Sequence, residues 1–194
     1  KPQTRNIREY YEQEAKLNLD NVSAIQGAKH KQNYAIIDKD TRTIKVYDVN
    51  NNLLYESNQI NTGKANTDYN TVTYSGRNGK LLYGQGNNST PAGITVISSK
   101  GDYHGNPSFQ RARVDGNGNM RLTKDGQHDN IASSIHWEKG IAGPNASNGC
   151  IRADSKTLQE LNKYLDVGSM VYTLPQQHGS SFQLRDGRLN FVDN

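Results

Sequence analysis

The spacing of apolar residues changes once, near Asn33. Ahead of it, Ile7, Tyr10, Tyr11 and Ala15 recur at intervals of three and four in a stretch, 4–19, rich in helix formers. That is the period of one face of an amphipathic helix. A second, shorter helix over 21–29 is undercut by Gly27. From residue 33 the apolar residues gather instead in short β-branched and aromatic runs. Tyr34–Asp38, Thr43–Asp48 and Leu53–Ser57, separated by Lys39-Asp40-Thr41-Arg42 and Asn50-Asn51-Asn52, predict a three-strand meander, with Ile60-Asn61-Thr62-Gly63 following. Residues 64–88 hold one apolar run, Leu81-Leu82-Tyr83, and fit either a loop or a strand with insertions.

Thr90-Pro91-Ala92-Gly93 sets a turn into the strand Ile94-Thr95-Val96-Ile97. Further strands are predicted over Phe109–Val114, Met120–Leu122 and Ala132–Trp137. Behind Asp154, a good N-cap residue, Leu158, Leu161, Tyr164 and Leu165 share one helical face, with Gly168 placed to end the helix. Ser169–Pro175 reads as a core strand, and Phe182–Phe191 as a closing hairpin around Asp186-Gly187. The pattern predicts a helical extension over 1–32 leading into one mainly β domain over 33–194, with a helix directly after the cysteine.

Composition sharpens this reading. A chain of 194 residues with 32% hydrophobic residues, 11 tyrosines and 18 glycines suits one folded, turn-rich domain rather than a disordered segment. No apolar run reaches the roughly 18 residues that span a bilayer. The net charge of +4 is spread along the chain. It suits an anionic polymer such as cell wall, and without clustering it gives no case for nucleic acid, whose signature is a steep salt dependence. Lys1-Pro2 is not a natural start, so the expectation is a mature or trimmed chain whose export signal or anchor lay upstream.

The chemistry centres on one residue. Cys150 is the only cysteine, so it has no intrachain disulfide partner. Free cysteines commonly serve as small buried hydrophobes. Here, however, Gly149 precedes the thiol and Arg152 stands two places on, a small residue and a cation that favour the nucleophilic thiolate. His136, at the end of a predicted strand, is the candidate base. His30, His104, His128 and His178 have no ligand-like spacing, and no phosphate-binding glycine loop is present. No cofactor or metal is expected.

Three motifs in order carry a resemblance. Thr90-Pro91-Ala92-Gly93-Ile94, Ile135-His136, and Ser147-Asn148-Gly149-Cys150-Ile151-Arg152 followed by a helix and Val167-Gly168-Ser169-Met170-Val171 resemble the L,D-transpeptidase (YkuD-like) catalytic domain. The resemblance covers about residues 33–175. It implies that family's β-sandwich or barrel-like fold and a cysteine acyl-enzyme formed on peptidoglycan stem peptides in the periplasm or cell wall. D-alanine would leave, and an acceptor amine would take the acyl group. Hydrolysis by water, giving an L,D-carboxypeptidase, and an inactive wall-binding domain of the same fold are the alternatives.

By the same resemblance, Cys150 is the nucleophile and His136 the base, with the carbonyl of Trp137 or Ser147 holding the imidazole. The amides of Asn148, Gly149 and Cys150 are suited to the oxyanion. Arg152 either stabilises the thiolate, binds a substrate carboxylate, or pairs structurally with Asp154 or a carbonyl. The family usually has histidine where this chain has Asn148, and glycine where it has Trp137. Asn148 cannot titrate. Trp137 either narrows an acceptor subsite or fills core space.

Overall fold

The computed structural model describes residues 25, 28–63, 72–77, 80–86, 90–115, 118–140, 147, 149–174, 181–185 and 188–192, giving backbone alone for the strands in 72–86 and 181–192. The helical stretches expected within 1–32 lie outside the described residues, except that Ile25 is helical and packs on the sheet.

The meander forms as the short runs and turns predict. β1 (Tyr34–Asp38) pairs antiparallel with β2 (Thr43–Tyr47), and β2 with β3 (Leu53–Ser57). Asp38 and Asp48 accept backbone N–H bonds in the two turns, which is why short acidic residues stand there. β4 (Ile60–Asn61) leaves the meander to pair with β10 (Ile151–Ala153) at the far edge. Within the ambiguous segment, β5 (Val72–Arg77) and β6 (Lys80–Gly86) make an antiparallel hairpin.

β7 (Ala92–Tyr103) pairs with β8 (Asn106–Arg113), and β9 (Ile135–Trp137), α1 (Ser155–Tyr164) and β11 (Met170–Leu174) follow along the chain around β10. The sheet runs β3-β2-β1-β11-β7-β8-β9-β10-β4, with β6 also on β7. β12 (Ser181–Arg185) and β13 (Arg188–Val192) form the expected closing hairpin as a separate sheet. The architecture is mainly β, as the resemblance implied.

Several boundaries differ from the sequence reading; β8 begins earlier, at Asn106, and β9 later, at Ile135. β7 runs on to Tyr103 as an exposed arm, closed by a two-residue turn in which His104 (φ 53°) and Gly105 (φ 78°) both take the left-handed conformation. Met120 and Leu122 make isolated bridges rather than a strand. The helix stops at Tyr164, where Leu165 turns extended and its N–H bonds Leu161; Gly168 (φ 94°) shapes the turn beyond.

Strand alternation divides the core in two. Ala35, Ile37, Ile97, Phe109 and Val171 face one way with Leu158, Leu161 and Leu165 of α1; Tyr34, Ile94, Val96 and Tyr172 face the other. Asp154 caps α1, its Oδ1 accepting the Thr157 N–H at 2.9 Å. Asp154→Ala is expected to cost about 1 kcal/mol of stability, read as a lower urea midpoint with unchanged slope.

Candidate active site

β9 and β10 are three-residue parallel neighbours in the register Ile135↔Ile151 and His136↔Arg152. Side chains alternate along a strand, so this register sends Ile135 and Ile151, both fully buried, into the core. His136 and Arg152 then share the outer face. The Ile151 N–H bonds the Ser134 carbonyl at 2.9 Å, which brings Cys150, one residue ahead of β10, beside β9. The chain between Trp137 and Cys150 returns through Ser147, which bridges to Gly63 in parallel sense.

The imidazole is held by its own neighbour. His136 Nδ1 lies 2.8 Å from the Trp137 carbonyl oxygen. A carbonyl only accepts, so Nδ1 carries the proton and Nε2 is left to accept from the thiol. Of the two carbonyls considered from sequence, that of Trp137 does this work.

The two side chains alter each other. A hydrogen bond with His136 is the main cause that brings the Cys150 thiol from 9.0 to about 7, with burial opposing and the backbone and hydroxyl of Ser134 assisting. The hydrogen bond with Cys150 in turn raises His136 above its usual 6.5, against burial and the Arg152 charge. The thiol is thus made more acidic and the imidazole more basic, which favours proton transfer from one to the other. The sulfur is half-buried, with Ser134 Oγ at 3.8 Å.

The cysteine loop is braced from below. Gly149 has φ 122°, a conformation open to glycine and strained for other residues. Its carbonyl accepts from Ser133 Oγ at 2.7 Å and from Thr90 Oγ1 at 3.0 Å. Ser147, fully buried, accepts the Gly149 N–H at 3.2 Å and donates to the Cys150 carbonyl. The Gly149 N–H, expected to face an oxyanion, is thus turned inward to Ser147. Ser147 itself is buried beneath the loop. Asn148 lies outside the described residues. The Cys150 N–H has no acceptor among the described residues.

Arg152 Nε is 3.7 Å from Glu138 Oε2, while Asp154 caps the helix. Trp137 is half-buried, packs on the first core cluster and tilts against His104 with ring centroids 5.6 Å apart. The sequence reading missed Tyr103, at the end of the β7 arm, whose ring meets His136 edge-on at 5.0 Å. With Asp102, Phe109, Gln110, Ser134 and His136 it lines an open cleft of about 420 Å³. Among the described residues no group of three His, Cys, Asp or Glu side chains could hold a metal ion. No described helix is long and apolar enough to cross a membrane.

The fold and site define a mainly β protein with a thiol–imidazole pair whose imidazole lines an open cleft. The YkuD family model, the L,D-transpeptidase catalytic domain, matches residues 32–173, and the chain belongs to that family. Among solved structures, it is similar to Bd1075 of Bdellovibrio bacteriovorus at 14% identity and TM-score 0.48, over 84% of this chain and 50% of that one. It is also similar to an L,D-transpeptidase of Stackebrandtia nassauensis at 16% identity and TM-score 0.48, over 89% and 69%. The catalytic domain of the Enterococcus faecium L,D-transpeptidase is similar at 18% identity and TM-score 0.42, over 75% and 99%. The chain thus spans half the length of the Bdellovibrio protein. No curated protein matches it in sequence.

Proposed function

We propose that the protein is an exported cysteine acyltransferase that cross-links peptidoglycan stem peptides. The observation that carries this reading is the Cys150–His136 pair, with the imidazole anchored through Nδ1 to the Trp137 carbonyl. Cys150 Sγ bonds to the carbonyl carbon that joins an L-centre to the terminal D-alanine of a tetrapeptide stem. The thiol proton passes to His136 Nε2, and from there to the departing amine as the carbon–nitrogen bond breaks. D-alanine leaves, and the stem remains as a thioester.

An acceptor side-chain amine then attacks the thioester, its proton passing to His136, and the thiol is restored as the new amide forms. Arg152, tied to Glu138, shapes the field at the pair and is assigned no bond to the reacting atoms. Trp137 contributes its carbonyl and packing, with its ring against His104.

The test is product analysis by mass spectrometry after incubation with a free tetrapeptide stem. Release of D-alanine with a cross-linked dimer is the expected result. Tripeptide alone would assign the acyl-enzyme to water and make the protein a carboxypeptidase. Neither product, from folded protein with a free thiol, would leave a wall-binding domain.

A further inference from the structure

Arg111 is the largest of the fully buried side chains, and no step proposed above uses it. On β8 it shares parity with Phe109, so it points to the core side of the sheet. The register places it opposite Ile97, close to Thr95 of β7 and Thr173 of β11. Its Nη1 donates to Thr95 Oγ1 at 3.2 Å and to Thr173 Oγ1 at 3.4 Å, and its Nη2 donates to Ser133 Oγ at 2.9 Å.

Donor and acceptor chemistry then fixes where the protons point. A guanidinium only donates, so Ser133 Oγ accepts from Arg111 and its single proton goes to the Gly149 carbonyl. The same logic holds for Thr90. The Gly63 N–H only donates, so Thr90 Oγ1 accepts from it and gives its proton to the same carbonyl. The buried Lys39 Nζ holds the Thr90 carbonyl at 2.9 Å, fixing that residue from its other end. Two hydroxyls therefore load both lone pairs of one peptide oxygen, and each hydroxyl is itself polarised by a donor behind it.

That peptide is Gly149–Cys150, whose N–H is the nucleophile's own. Hydrogen bonds to a carbonyl draw electron density from the amide nitrogen, and chains of such bonds strengthen one another. The Gly149 N–H is spent on Ser147 and the Ser134 backbone is engaged with the sulfur itself, which leaves the Cys150 N–H as an amide suited to a developing oxyanion. Such a donor must be rigid and oriented before the charge appears.

We propose that Arg111, Ser133 and Thr90 are positioning residues that hold the Gly149–Cys150 peptide plane and make the Cys150 N–H the oxyanion donor. The inference rests on the acyl-transfer reading and deepens it. Its test compares two reactions of the same thiol. Alkylation by iodoacetamide forms no oxyanion and reads the thiolate alone; acylation by a carbapenem passes through a tetrahedral oxyanion.

Ser133→Ala is expected to slow acylation about tenfold, a fraction of the loss of a whole oxyanion donor, while the alkylation rate and its pH midpoint stay within about twofold. Thr90→Val gives the same split independently should Ser133→Ala fold poorly, and Thr90→Ser restores acylation. Unchanged acylation in both Ser133→Ala and Thr90→Val overturns the proposal. So does a parallel fall in alkylation and acylation, since the hydroxyls would then only hold the loop. A wild-type protein that alkylates but is never acylated defeats the transfer reading, and this inference with it. Wild-type acylation with unchanged variants defeats this inference alone.

Discussion

Cys150→Ala is expected to abolish D-alanine release and cross-linking, a fall of about 10⁴-fold or more, because removing a covalent nucleophile removes the pathway rather than one contribution to it. The fold should survive. The sulfur is half-buried at the outer face, and the backbone around it is held by Ser133, Thr90 and Ser147 instead. The check is paired: steady-state product formation for activity, and thermal unfolding for stability. Cys150→Ala that retains cross-linking would require a different nucleophile, and the chain has no other thiol.

His136→Ala has the second largest effect, with two readouts of different origin. Turnover is expected to drop about 10²–10⁴-fold through loss of the proton carrier. The thiol should also lose its main source of acidity. In the intact protein the folded thiol titrates at about 7, below its ordinary 9.0, and the imidazole hydrogen bond is the largest cause. Alkylation should therefore rise with pH through a midpoint near 7 in the wild type, and be lost as pH falls below it. In His136→Ala the midpoint should move up toward the ordinary thiol value. A midpoint that stays in place would assign the thiolate's stabilisation to Ser134 and the local backbone rather than to the pair.

Both residues were legible in the sequence because their signals are local. A Gly-Cys-x-Arg run and an Ile-His strand end can be read without knowing the fold. The meander was legible for the same reason: β1 is a short apolar run, β2 alternates around Ile44 and Val46, and their turns carry Asp38 and Asp48. β10 was not, since Ile151–Ala153 is too short for any period to show. Nor was the outer half of β7, where Lys100, Gly101 and Asp102 carry no apolar pattern because that arm stands in solvent. Tyr103 went unnoticed with it, since only the hairpin's reach brings it to His136.

Arg152 shows the opposite limit. Its sequence position leaves open a thiolate partner, a ligand for a substrate carboxylate, or a structural pair with Asp154 or a carbonyl; the β9–β10 register sets it beside Glu138. Asp154 is committed to the helix it caps. Arg111 lay in view within Phe109–Val114, and its shared parity with Phe109 was a signal that it points inward. What no local pattern supplies is its destination, since Thr95, Thr173 and Ser133 reach it through pairings far apart in sequence. The site's reactive pair is written locally, and its support is written in the sheet.

The most direct measurement is intact-mass spectrometry with peptide mapping of the wild-type protein after exposure to a carbapenem or a tetrapeptide stem. One adduct per chain is expected, located on Cys150, and with the stem a mass short by D-alanine. Folded protein with a free thiol that gains no mass, or gains it elsewhere, would mean that Cys150 is not an acyl-accepting nucleophile.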